Sequence, residues 1–306
     1  MRKYQRRNTE ADRRTNEEKI IGLLASLILL GGCFNMSETT DQEKAQEGTT
    51  PVQDYVGQGY SFVDGDKSAE RVKKHEEEIK QVAIDYVKTK YKTNVRVTNV
   101  VPARNAAVVI VESKEPIQFT TSVTVGFILN KDEVGFPKEE EGEIEQAVIG
   151  GLYAKAYEAE FKQLNNVAEK LAQKYDLVGM TDGALAKSSP YGNQGNHYFI
   201  ALSYREYSSV YNAYIENPQI SAEELRILFT KDDPTSGNIT IVMKFFSKED
   251  KLPKQEVVDN LAKDFQQELG LPKGNYPFVI YKNLIINRVG LPDGENIETE
   301  ISVKGI

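Results

Sequence analysis

Apolar and polar positions divide the chain into three regimes. Residues 20–30, Ile-Ile-Gly-Leu-Leu-Ala-Ser-Leu-Ile-Leu-Leu, form an apolar run between a basic, polar start and Gly31-Gly32-Cys33. Residues 34–54 are polar and without period, and a stretch with so little apolar surface to bury stays unfolded by itself. From residue 55 onward, helical and strand periods alternate.

The first helical period covers residues 68–91. Val72, His75, Ile79, Val82, Ala83, Tyr86 and Lys90 recur every three or four residues, with Ser68 as the expected N-cap and Asn94 as the break. Strands are predicted at Val95–Val101, Ala106–Glu112 and Ile117–Leu129, with Arg104-Asn105 turning the first hairpin. A charged loop is expected over 130–142, then helices over 143–157 and from Glu158 to about Tyr175. Gly150 and Gly151 each weaken the first of these by about 1 kcal/mol relative to alanine, and close packing of a neighbour is a reason for them. Residues 176–196 read as a long loop. Beyond it, strands are predicted at His197–Tyr204, Ile239–Phe246 and Phe278–Asn287, and helices at Ser208–Glu216, Ser221–Phe229 and Gln255–Leu269. The fold class that follows is α+β, an antiparallel or mixed sheet packed with amphipathic helices. A helix leading into a strand occurs at 68–101 and again at 255–287, an echo compatible with two similar lobes, 55–175 and 197–306.

The length of 306 residues suffices for a core without disulfides or metals. Charge is unevenly placed. Residues 1–32 carry seven basic and four acidic side chains, so the total of −8 leaves −11 on residues 33–306. An acidic body repels phosphate backbones and anionic headgroups, which argues against nucleic-acid binding and against lying flat on a bilayer.

A basic start, a short apolar core and small residues before a cleavage point are the parts of a secretory signal. The apolar run is too short to span a hydrocarbon layer, which needs about 20 residues. Leu30-Gly31-Gly32-Cys33 resembles the lipobox of bacterial lipoproteins. That resemblance implies a thioether-linked diacylglyceryl group on Cys33, cleavage between Gly32 and Cys33, and acyl chains such as palmitate holding the protein on the outer face of the cell membrane. Two or three chains make such an anchor stable where one gives marginal binding. Residues 1–32 are then a lipoprotein signal peptide, 33–54 a disordered tether of about 25 Å, and 55–306 the folded body.

Catalytic signals are sparse. His75 and His197 lack a second histidine or cysteine at metal-ligand spacing, so no metal or other cofactor is expected. Ser188 and Ser189 lie near His197 in the chain, which does not make a triad, and no Gly-x-Ser-x-Gly elbow occurs. Glu76–Glu78 and Glu139–Glu141 read as solvated charge runs, and Asp232-Asp233-Pro234-Thr235-Ser236-Gly237 as a turn. Tyr191, Tyr198, Tyr204, Tyr207, Tyr211 and Tyr214 crowd into 24 residues, a composition suited to a binding surface or to a half-buried core.

Tyr55-Val56-Gly57-Gln58-Gly59-Tyr60, Lys90-Tyr91-Lys92-Thr93-Asn94-Val95, Gly150-Gly151-Leu152-Tyr153-Ala154 and Gly270-Leu271-Pro272-Lys273-Gly274 carry a further resemblance. With them the chain resembles a family of uncharacterised lipoproteins of Gram-positive bacteria, defined only as a domain of unknown function. It implies a location and no activity. The reading that results is a lipid-anchored surface protein that binds a protein or cell-wall partner without catalysis. Two other readings compete, a cell-envelope hydrolase using paired carboxylates and a solute-binding receptor.

Overall fold

The computed structural model describes residues 48–128 and 130–303. Cys33, Gly32, the signal segment and most of the expected tether lie outside these residues.

Four antiparallel strands form the first sheet, in chain order: β2 (Arg96–Ala103), β3 (Ala106–Ser113), β4 (Phe119–Ile128) and β5 (Glu133–Lys138). Ala103 pairs with Ala106 across Arg104-Asn105, and Asn105 takes the left-handed conformation that a two-residue hairpin requires. β1 (Thr49–Thr50) lies within the stretch assigned to the tether, yet it pairs with β11 (Ile285–Ile286), and Val52 beside it is fully buried. β5 corrects the expected loop over 130–142. Gly135 and Pro137 disguise it, and proline is tolerated there because the strand is an edge.

The long helical period is two helices, α1 (Ala69–Lys74) and α2 (Glu76–Tyr91), with His75 out of helical conformation between them. Ser68 is no side-chain cap. A single 3-10 turn, Gly65–Ser68, already leads into α1, and the Ser68 hydroxyl instead accepts the Asn105 amide at 3.1 Å. α2 buries Ile79, Ala83, Val87 and Tyr91 in the same cluster as Val109, Val111, Val123 and Val125.

α3 (Glu143–Ala156) and α4 (Glu158–Lys174) follow as predicted. A methyl group on Gly151 would meet the Gln118 carbonyl at 2.9 Å, so the glycine lets α3 lie against the start of β4. The expected loop over 176–196 holds β6 (Leu177–Val178), α5 (Asp182–Ser188) and β7 (Gln194–Gly195). Thr181 caps α5 by accepting the Ala184 amide at 3.1 Å, a short helix that serine- and glycine-rich flanks hide.

The second sheet has six strands and is mixed. β8 (Tyr198–Ala201) pairs antiparallel with β9 (Thr240–Ser247), and β9 runs parallel to β10 (Gly274–Tyr281). The crossover between β9 and β10 is carried by α8 (Gln255–Phe265), as parallel neighbours require. β13 (Asn296–Val303) closes one edge against β10; it lies outside the predicted strands, although Ile297, Thr299, Ile301 and Val303 alternate with polar residues along it. Before β9 come α6 (Ser208–Glu216) and α7 (Ala222–Asp232), the latter opened by a capping box between Ser221 and Glu224. β12 (Leu291–Pro292) completes a small third sheet with β1 and β11. The architecture is α+β, as the periodicities predict.

One apolar cluster takes side chains from both the stretch before residue 175 and the stretch after 197. On the helix side of the second sheet, Phe265 meets Phe278 and Tyr276 at ring distances of 5.1 and 4.9 Å. A second, smaller cluster joins Val52, Tyr55, Met180, Ala184, Phe246 and Ile285.

Candidate functional site

Strand alternation sends Tyr198, Ile200, Ile241, Met243 and Phe245 toward the helices, so Phe199, Val242 and Lys244 share the opposite face. There the Lys244 ammonium stands 5.7 Å from the centre of the Phe199 ring, and the Tyr191 ring lies 6.4 Å from Phe199. The cross-strand neighbours Val242 and Val279 are buried, Lys244 and Phe199 are half-buried, and Tyr191 keeps 37% of its surface. Burial alone pulls Lys244 down to about 8.

Beside Tyr191 is Glu143, the first residue of α3. Burial, then Glu140 and Glu139, raise its carboxyl to about 7. Burial, then Glu143, push Tyr191 up to about 12, and Tyr60 is raised by burial, then Tyr191, Tyr55 and Glu143. Tyr60, Tyr191 and Glu143 thus form one electrostatically coupled group that keeps partial contact with solvent. Aromatic faces, a cation and a carboxyl that is half protonated near pH 7 suit recognition of a polar ligand with a ring and an acid group.

The other sequence-level candidates are structural. Tyr198, Tyr207 and Tyr214 are core residues, Tyr204 and Tyr211 are half-buried against the core, and Tyr191 alone of the run is exposed. Asp233, expected in a simple turn, is buried and accepts Tyr207 Oη at 2.9 Å, the Asn238 amide at 2.9 Å and Thr235 Oγ1 at 3.0 Å. Burial works to raise its carboxyl, but these bonds prevail and hold it below the usual range. His197 is 7% exposed, stacks on Phe245 and lies 3.3 Å from Glu169, and burial lowers its basicity against the opposing carboxylate. His75 sits 3.4 Å from Glu78 and 3.8 Å from Asp132. Ser188 donates to the Ala184 carbonyl and Ser189 to Gln194, so their hydroxyls serve local structure.

The charge run at Glu139–Glu141 needs correction. Glu141 is exposed, but the Glu139 side chain keeps only 8% of its surface and accepts from both Lys90 and Tyr91. It ties the end of α2 to the segment before α3. Burial lowers Lys90 and the Glu139 bond overrides it, so its basicity rises.

An open groove lies at the start of α1, lined by Lys67, Ser68, Arg71, Lys74, Asn105 and Asp132. Its cations are already matched, Arg71 and Lys74 to Asp132 at 2.9 and 2.5 Å and Lys67 to Asp64 at 2.7 Å. Among the described residues, Lys244 has no such carboxylate partner. In the sequence its only signal is one charge inside the predicted apolar strand Ile239–Phe246.

Among the described residues no helix is long and apolar enough to cross a membrane. A search among curated proteins returns no match. The chain is similar to a solved structure, a DUF1672 family protein from Staphylococcus aureus subsp. aureus Mu50, with a TM-score of 0.71 at 20% identity, covering 83% of this chain and 98% of that one. At that identity the likeness shows the fold alone. The model of a protein family of unknown function, DUF1672, matches residues 42–305, and the chain belongs to that family.

Proposed function

We propose that the protein is a lipid-anchored binding module, held outside the cell membrane by acyl chains on Cys33 and acting without catalysis. The observation that carries the anchor is Leu30-Gly31-Gly32-Cys33 placed directly after an apolar run too short to span a bilayer. The body's charge of −11 supports the arrangement, because anionic headgroups repel it and leave it free to face a partner. Binding is supported by the half-exposed aromatic and cationic face at Tyr191, Phe199 and Lys244.

The test is mass spectrometry of the N-terminal peptide from protein made in a lipoprotein-processing bacterium, with protease added to intact cells. A mature chain that begins at a diacylglyceryl-modified Cys33 and is shaved from whole cells is expected. A bare thiol with residues 1–32 still attached overturns the anchor.

A further inference from the structure

The cations of the groove at the start of α1 are matched only by sharing. Each of two carboxylates serves two of them: Asp132 meets Arg71 at 2.9 Å and Lys74 at 2.5 Å, and Asp64 meets Lys67 at 2.7 Å and Arg104 at 2.5 Å. Glu70, the other acid lining the groove, is exposed and has no ion pair among the described residues. Lys67, Arg71 and Lys74 therefore face Asp132 and Glu70 with one positive charge in surplus. A local surplus of that sign is unusual in a body that carries −11 over residues 33–306. A concave surface of one sign focuses its field and draws in the opposite charge.

Donors without acceptors in the same groove narrow the ligand. The Arg71 guanidinium lies 5.4 Å from the centre of the Phe127 ring, which orients its plane, and among the described residues its two terminal amino groups donate no hydrogen bond. Ser68 Oγ accepts the Asn105 backbone amide at 3.1 Å, so its own proton is left to give, and the Asn105 side-chain amide has no partner among the described residues. A guanidinium fork beside neutral donors fits an acid group with two equivalent oxygens better than it fits a round ion. The surplus of one limits the charge, since a dianion would leave the groove negative beside Glu70. About 670 Å³ of open space gives room for that group and for the ring or chain that carries it.

We propose that this groove binds a singly charged oxyanion, a carboxylate or a phosphodiester, on the Arg71 fork, with Lys67 and Lys74 supplying charge and Asn105 and Ser68 supplying neutral hydrogen bonds. Lys67 and Lys74 keep 69% and 63% of their side-chain surface open, and ion pairs so exposed hold their partners weakly enough to share them with an anion from solution. The site is separate from the Tyr191 face and needs no lipid on Cys33, so failure of the anchor would leave it standing.

The experiment is calorimetric titration of the purified full-length chain in a nonionic detergent at constant ionic strength. The probes are N-acetylglycine, a carboxylate; dimethyl phosphate, a phosphodiester; N-acetylglycinamide, which is neutral; chloride, a round ion; and inorganic phosphate at pH 8, a dianion. At least one of the first two is expected to bind about tenfold more tightly than the neutral amide and than chloride, and the tighter of the two names the source of the anion. Lys67→Gln and Lys74→Gln are each expected to weaken that binding about threefold, and Glu70→Gln to tighten it about threefold. Lys88→Gln, an exposed lysine about 20 Å away along α2, is expected to leave it unchanged. The proposal is overturned if neither monoanion outbinds chloride and the amide, if inorganic phosphate outbinds both monoanions, or if Lys88→Gln weakens binding as much as Lys74→Gln does. The comparison of probes on the natural sequence decides the matter even where a variant fails to fold.

Discussion

The Lys244 ammonium lies 5.7 Å from the centre of the Phe199 ring, on a sheet face where its strand neighbours are buried. A cation over a ring face is attracted by the ring's quadrupole, yet this recovers only part of what hydration supplied. Burial lowers Lys244 to about 8 from an ordinary value near 10.5. The folded state therefore binds fewer protons than the unfolded chain between about pH 8 and 10.5, and stability rises with pH across that window. Lys244→Met is expected to raise the melting temperature at pH 7, with the gain over the natural sequence shrinking toward pH 10.5. Thermal unfolding followed by circular dichroism at both pH values checks it. A gain in stability from removing a residue is the signature expected where that residue is kept for binding.

Glu143 carries the opposite sign. Its carboxyl is raised to about 7 from 4.5, so the folded state binds more protons than the unfolded chain between those values, and stability falls as pH rises through them. Glu143→Gln removes the ionisation. The variant is expected to match the natural sequence at pH 4.5 and to melt at a higher temperature at pH 8, as measured by a thermal melt at each pH.

Tyr207 donates to Asp233 at 2.9 Å, with both side chains buried. Asp233→Ala leaves the Tyr207 hydroxyl and the Asn238 amide without their acceptor, at a cost of about 1–3 kcal/mol for each stranded group. Tyr207→Phe removes one partner and leaves Asp233 its two others, so about 1 kcal/mol is expected. Urea unfolding of both variants and of the pair measures the coupling. Because bonding holds the Asp233 carboxyl below its ordinary value, its contribution is present above about pH 4 and is lost as pH falls further.

Gly151→Ala puts a methyl group at 2.9 Å from the Gln118 carbonyl, a backbone atom that moves only with β4. Overpacking of this kind costs about 1–3 kcal/mol. Gly126→Ala, whose added carbon meets nothing within 4 Å, is the control and is expected to lie near the natural sequence. Chemical denaturation of the two variants separates close packing from glycine's flexibility.

Periodicity alone specified a good part of this molecule. The helices at 143–156, 158–174 and 208–216 and the hairpin at Arg104-Asn105 are visible because each depends on residues a few positions apart. The Ile239–Phe246 strand is visible for the same reason; of the two glycines at 150–151, close packing accounts for Gly151, while a methyl group on Gly150 would meet only ordinary contacts. β5 and α5 were not, because what forms them is a partner strand or a cap rather than an apolar period. The tyrosine run shows the limit most clearly: its residues are chemically alike, and only packing decided that Tyr207 and Tyr214 are core while Tyr191 meets solvent. Glu139 and Lys244 are the paired cases. Sequence gives both as ordinary charges, and tertiary structure alone buries one against Lys90 and Tyr91 and leaves the other without a carboxylate. The reason is physical: secondary structure follows from near neighbours along the chain, whereas the solvation and pairing of a charge depend on groups that folding brings from far along the chain, 48 and 49 residues for the partners of Glu139.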